Sequence, residues 1–202
     1  GDLTSVVMPN TITAIADDAS PNISAGVFYR CSSLKKVILS KNLAVIPSYT
    51  FSGCSSLSSI DLSNVTEIGV SAFGECTSLT SVDLPQVTEI GPFAFNYCTS
   101  LASVNIPQAT TIGEAAFQEC ISLKSIKLSY GISILGENLF YDCVSLTEMD
   151  IPRSVSTIEK GCFYMCNNIK EIYLPYNVSE IGEGAFYAHG LKTVTCESPV
   201  PP

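Results

Sequence analysis

The sequence predicts an α/β-type solenoid, and three observations carry that prediction. A Leu or Ile opens the same phrase nine times, at Leu3, Leu34, Leu57, Leu79, Leu101, Leu123, Leu146, Ile169 and Leu191, in steps of 31, 23, 22, 22, 22, 23, 23 and 22 residues. Inside each phrase the apolar residues first alternate and then crowd, as in Val82 and Leu84 followed by Ala94, Phe95 and Cys98. Glycine and proline also hold fixed places in the unit. Self-similarity at this period marks a chain whose units bury their apolar faces against their neighbours rather than in a central core. The reading gives one parallel sheet, short second strands and short helical turns, in about eight units plus a final strand over residues 1–197. Residues 198–202 read as a Pro-rich tail or spacer.

The unit from Leu79 shows why each element forms. Val82 and Leu84 alternate with an outward Asp83, which is strand period, and strands stacked from successive units make a parallel sheet. Pro85, Pro107, Pro152 and Pro175 end that strand, where a missing N–H does least harm. A short extended run follows, closed by Gly69, Gly91, Gly113, Gly136 or Gly182 where the backbone must turn. Ala94, Phe95 and Cys98 stand at i, i+1 and i+4, the face of about one helical turn. Stacking converts Phe28, Phe51, Phe73, Phe95, Phe117, Phe140, Phe163 and Phe186 into an aromatic spine. The first unit carries extra polar, turn-forming residues at about 17–24, expected to leave the stack as a loop.

Composition narrows the function classes. The chain is 46% apolar and 14% charged, with a net charge of −9. Seven acidic residues and no Lys or Arg lie between Asn42 and Leu123, so the clustered cations that nucleic-acid binding needs are absent there. No stretch reaches the roughly 18 to 20 apolar residues of a membrane span. Because Gly1 and Asp2 run straight into the first strand phrase, the expectation is a trimmed piece of a longer protein whose signal or anchor lies outside it.

The phrase L-x-x-[VI]-x-[LI]-P followed by I-G-x-x-A-F-x-x-C, carried by Leu79 to Cys98, Leu101 to Cys120 and Ile169 to Phe186, resembles the BspA-like class of bacterial leucine-rich repeat. Nearly the whole chain fits, with departures at Glu159, which replaces the glycine, and at His189, where one residue is lost. The resemblance implies a secreted or surface-attached bacterial protein, in a family associated with adhesion to host matrix proteins and to other cells. It brings no catalytic residue.

Seven of the nine cysteines, Cys31, Cys54, Cys76, Cys98, Cys120, Cys143 and Cys166, fall in one column, so the repeat itself accounts for them. They read as small buried hydrophobes, since thiols pointing the same way along a column make poor disulfide geometry. Cys162 and Cys166 with His189 offer three soft ligands, short of the four that structural zinc takes. With one His in the chain and no assembled thiolate, base and orienting group, the sequence predicts no enzyme, no metal and no cofactor.

Recognition should therefore rest on variable outward residues. Between the inward strand positions the column reads Asp61, Asp83, Asn105, Lys127, Asp150 and Tyr173 from the third unit to the eighth, on the face that solenoids of this kind use for binding. Asp61 and Asp83 should be direct neighbours, a site for a basic partner or a cation if it is more than a solvated edge. A second candidate surface is Tyr141, Tyr164 and Tyr187, which follow the spine Phe in three consecutive units. The favoured reading is a non-enzymatic extracellular or cell-surface module that adheres to a host matrix or cell-surface protein through the sheet face. The alternative is carbohydrate binding on the tyrosines.

Overall fold

A computed structural model describes residues 2–16 and 26–197. The loop expected at 17–24 and the tail at 198–202 lie outside the described residues. Numbering the coils by their opening residue, coil one begins at Leu3 and coil nine at Leu191.

Each coil runs through a first strand, a turn, a second strand and a turn segment that carries the spine. The first strands are Ser5–Val7, Lys36–Ile38, Ser81–Asp83, Ser103–Asn105, Ser125–Lys127, Glu171–Leu174 and Thr193–Cys196. The second strands are Val45–Ile46, Glu67–Ile68, Glu89–Ile90, Thr111–Ile112, Ile134–Leu135, Thr157–Ile158 and Glu180–Ile181, which makes about seven turns of solenoid. Coil one forms its first strand but no second strand among the described residues, so the expected eight units are reduced by one.

Every pairing is parallel, as stacking of like on like requires. Val82 lies beside Val104, and Val104 beside Ile126. Ile68 lies beside Ile90, and Ile90 beside Ile112. The expectation of one continuous sheet needs correction. The first-strand column is bonded in three patches, with stretches 59–61 and 148–150 outside them except for a bridge between Lys127 and Asp150. Both interruptions carry outward acids, Asp61 in one and Glu148 and Asp150 in the other.

The short helical turns are corrected more fundamentally, because no helix forms among the described residues. In coil two the amides of Tyr49, Phe51 and Gly53 donate to the carbonyls of Val70, Ala72 and Gly74 in the next coil, each at 2.8 Å. The alternate amides of Thr50, Ser52 and Cys54 close i→i−3 turns within the coil. A single helical turn would leave its first four N–H groups without partners. Turning every second N–H toward the neighbouring coil satisfies them, and residues at positive φ, such as Ser71 at 48° and Glu75 at 58°, make that geometry.

Stacked side chains form the core. The spine rings lie 5.3 to 5.9 Å apart and within 17° of parallel from Phe28 to Phe186. Phe51, Phe73, Phe95, Phe117, Phe140 and Phe163 are fully buried. Columns of buried Leu, Ile and Val, such as Leu79, Leu101 and Leu123, flank the spine and bury apolar area worth about 25 to 30 cal/mol per Å² alongside it.

Candidate functional site

The outward column of the first strands does not behave as one stripe. Ser63 N–H donates to Asp61 Oδ1 at 3.0 Å, folding the carboxylate into its own turn. Hydrogen bonds from the Ser63 backbone and side chain hold that carboxyl below the ordinary aspartate range. Asp83 instead accepts Asn105 Nδ2–H at 2.7 Å, across the ladder that pairs the two residues. No ladder joins 59–61 to Ser81–Asp83, so no strand pairing holds the two aspartates in register. Each is occupied by a polar neighbour of its own.

Lys127, Asp150 and Tyr173 do come together. They border an open groove of about 600 Å³ that crosses coils six to eight, with Ile126 and Met149 at its floor and Glu148, Lys170 and Glu171 along its sides. Ile126 and Met149 are inward residues of their strands, nearly buried, while Tyr173 is 66% exposed. Asp61 borders a different and smaller hollow, of about 270 Å³, beside Lys41 and Asn64. The sheet-face candidates therefore divide: three share a groove, two bond to each other and one stands apart.

A second hollow adjoins the groove and shares Lys127 and Asp150 with it. It measures about 340 Å³ and is bordered by Tyr130, Pro152 and Arg153. Sequence reasoning passed over Tyr130 and Arg153 as site residues. Their signal was present in unit length, because one extra residue in Ser129-Tyr130-Gly131 and in Pro152-Arg153-Ser154 lengthens the turn after the strand. A longer turn projects, and Tyr130 is 78% exposed at its tip.

The three consecutive tyrosines form a stack. Tyr141 and Tyr164 are 5.0 Å apart and tilted by 7°, Tyr164 and Tyr187 are 4.9 Å apart, and His189 meets Tyr187 edge-on at 5.4 Å. Both faces of Tyr164 are therefore covered by other rings. A sugar cannot lie on that ring, so stacking recognition centred on Tyr164 has no platform. Edges and hydroxyls are what this surface presents.

The cysteine column is built into the core. The thiols of Cys54, Cys76, Cys98, Cys120, Cys143 and Cys166 donate to the carbonyls of Phe28, Phe51, Phe73, Phe95, Phe117 and Phe140 in the preceding coils, at 3.0 to 3.3 Å. Burial pushes the Cys54, Cys98 and Cys166 thiols up to about 12, and it raises Cys76, Cys120, Cys143 and Cys162 as well. A protonated, hydrogen-bonded thiol is neither a nucleophile nor a metal ligand. Among the described residues no three His, Cys, Asp or Glu side chains converge as a metal site would require. No helix among the described residues is long and apolar enough to cross a membrane.

Comparison with known proteins places this geometry among relatives. The profile of the BspA-type leucine-rich repeat region matches in six copies, over residues 2–111 and 88–201. A leucine-rich repeat protein from T. pallidum is 33% identical, with 84% of this chain and 79% of that one aligned and a TM-score of 0.72. One from Bacteroides ovatus is 28% identical over 96% of this chain, with a TM-score of 0.75, and this chain spans 55% of its length. One from Eubacterium ventriosum, at 23% identity and a TM-score of 0.73, shares the fold over 98% of this chain and 60% of its own. No curated protein matches the chain.

Proposed function

The chain belongs to the BspA-type leucine-rich repeat family, and from that premise we propose that it is a non-enzymatic recognition module which binds a protein through the outward face of its first strands. One observation carries the reading: Lys127, Asp150 and Tyr173 border a single groove on that face, with an apolar floor between charged sides. Such a combination suits a protein surface, where apolar contact supplies affinity and charge supplies register. The partner is a matrix or cell-surface protein and the setting extracellular or cell-surface, in keeping with the family. Asp61, Asp83 and Asn105 extend the same face and serve as its periphery, since each already bonds to a neighbour or stands outside the groove.

The test is binding of the purified chain to a panel of matrix proteins and glycans at low and high salt. Lys127→Glu/Tyr173→Ala should abolish a protein hit, while Asp61→Ser/Asp83→Ser should weaken it only slightly, mainly through the association rate. Equal losses for the two double variants would move the site to the whole acidic stripe. A salt-insensitive glycan hit untouched by either would replace the protein reading.

A further inference from the structure

The groove carries a charge order that specifies its occupant more closely than its shape does. Coil six presents Lys127, coil seven presents Glu148 and Asp150, and coil eight presents Lys170 and Glu171 beside the exposed Tyr173. Glu148 and Asp150 stand two residues apart in one extended stretch and are exposed, with the buried Met149 turned inward between them. None of these side chains is neutralised by its neighbours: among the described residues the one ion pair within 4.0 Å joins Arg153 to Glu197. The groove therefore offers two separated cations, Lys127 in coil six and Lys170 in coil eight, with the acids of coils seven and eight and an aromatic ring among them.

We infer that this groove takes an extended, ampholytic peptide segment of a partner protein, in which one Lys or Arg side chain sits against Tyr173 and between Glu148 and Asp150, and an acidic side chain on either flank faces Lys127 and Lys170. The inference rests on the sheet-face reading proposed above. A guanidinium or ammonium is attracted both to paired carboxylates and to a tyrosine face, and Tyr173 belongs to no ring stack of the described residues. Lys127 and Lys170 lie two coils apart and on different outward columns, roughly 10 Å along the axis and as much again across it, which about four residues of extended chain can cover. A uniformly basic segment would set charges against both lysines, and a uniformly acidic one would meet Glu148, Asp150 and Glu171. Both are rejected by the same arrangement that welcomes the mixed one.

Three synthetic ten-residue peptides in a Ser-Gly background test this by fluorescence anisotropy: one with Glu, Arg and Glu at alternate positions, one with three Arg and one with three Glu. The mixed peptide should bind at least about tenfold tighter than either of the others, and Glu148→Gln/Asp150→Asn should cost it about tenfold. Lys127→Gln/Lys170→Gln should admit the three-Arg peptide. All four changes are on exposed side chains, so circular dichroism should be unaltered. Equal binding of the three peptides, a preference that survives Glu148→Gln/Asp150→Asn, or binding of none of them overturns the inference. If none binds and Lys127→Glu/Tyr173→Ala still abolishes capture of a whole matrix protein, the sheet-face reading stands while this one falls.

Discussion

Phe95 is held between two rings, Phe73 at 5.3 Å and Phe117 at 5.6 Å, and is completely buried. Phe95→Ala deletes both stacks and leaves a void that neighbouring coils, locked by their own hydrogen bonds, can fill only in part. The expected loss is about 3 to 5 kcal/mol in urea unfolding. Phe28 stacks on Phe51 alone and is partly exposed, so Phe28→Ala should cost about half as much or less. The thiols make a different kind of prediction. Folding raises the buried cysteines from about 9 to about 12 where a value is defined, as for Cys54, Cys98 and Cys166, so the protonated form is favoured in the folded state. Their stabilising contribution is complete below the unfolded value near 9 and is lost as pH climbs toward 12, because the unfolded chain releases protons first. The melting temperature should therefore hold to about pH 9 and then fall steeply, and Cys98→Ala should flatten the fall. Thiol titration at pH 8 should find Cys196 and then the half-buried Cys31, with the seven buried cysteines reacting only in denaturant.

At the scale of elements, the turn segment decides between two geometries that the sequence leaves close together. Ala115 sits at φ 50° and Ala116, its neighbour, does not. In a helix, glycine at either place would cost roughly 1 kcal/mol. In the observed turn Ala115→Gly relieves left-handed backbone strain and should be neutral or stabilising by up to about 1 kcal/mol, whereas Ala116→Gly should destabilise. Paired urea curves for the two variants measure the difference, and equal losses would restore the helical turn. The segment's mistaken assignment has a physical cause. Ala94, Phe95 and Cys98 give the same inward spacing in a helical turn as in this turn, because spacing reports which residues point inward and not where the N–H groups go. A faint signal did exist in the left-handed positions themselves, where Gly53, Asn138, Gly161 and Gly184 replace larger residues. The strands were legible because Val82, Val104 and Ile126 alternate with polar neighbours and stack in register. The groove was legible only through Lys127, Asp150 and Tyr173. It lies where stretch 148–150 keeps only the bridge from Asp150 to Lys127, a feature of the way coils meet rather than of any one coil.

For the whole molecule, stability is a sum of coil-to-coil interfaces, and one interface lacks the second-strand ladder that its neighbours keep. The change from 22 to 23 residues falls between coils five and six, where Ser129-Tyr130-Gly131 adds a residue to the turn. Elsewhere the second-strand ladder advances regularly. Thr110 N–H donates to Thr88 O and Gly113 N–H to Ile90 O at 2.8 Å, and beyond the junction Ser156 N–H reaches Ser133 O at 2.9 Å and Glu159 N–H reaches Leu135 O at 2.8 Å. The corresponding amides of coil six, Ser133 and Gly136, reach no carbonyl of coil five among the described residues, and no pairing joins Thr111–Ile112 to Ile134–Leu135. Two other lines of bonds cross the junction, through Asn105 and Lys127 in the first strands and through Phe117 N–H to Leu139 O at 3.1 Å in the turn segment. The solenoid thus stays continuous, but its second-strand ladder, unbroken from coil two to coil five and from coil six to coil eight, is lost at this junction. Native-state hydrogen exchange should reveal this as fast exchange at Ser133 and Gly136 against slow exchange at Ser156 and Glu159, although Ser133 and Ser156 share one position in the repeat and Gly136 and Glu159 another. At low denaturant, protection should be lost in two blocks that divide near this junction, with the recognition groove wholly in the second block. A ligand bound there should raise protection in coils six to eight and leave coils two to five nearly unchanged. Uniform exchange across the junction, or protection gained evenly along the whole array, would show instead that the remaining bonds couple coils five and six as strongly as the second-strand ladder couples the others.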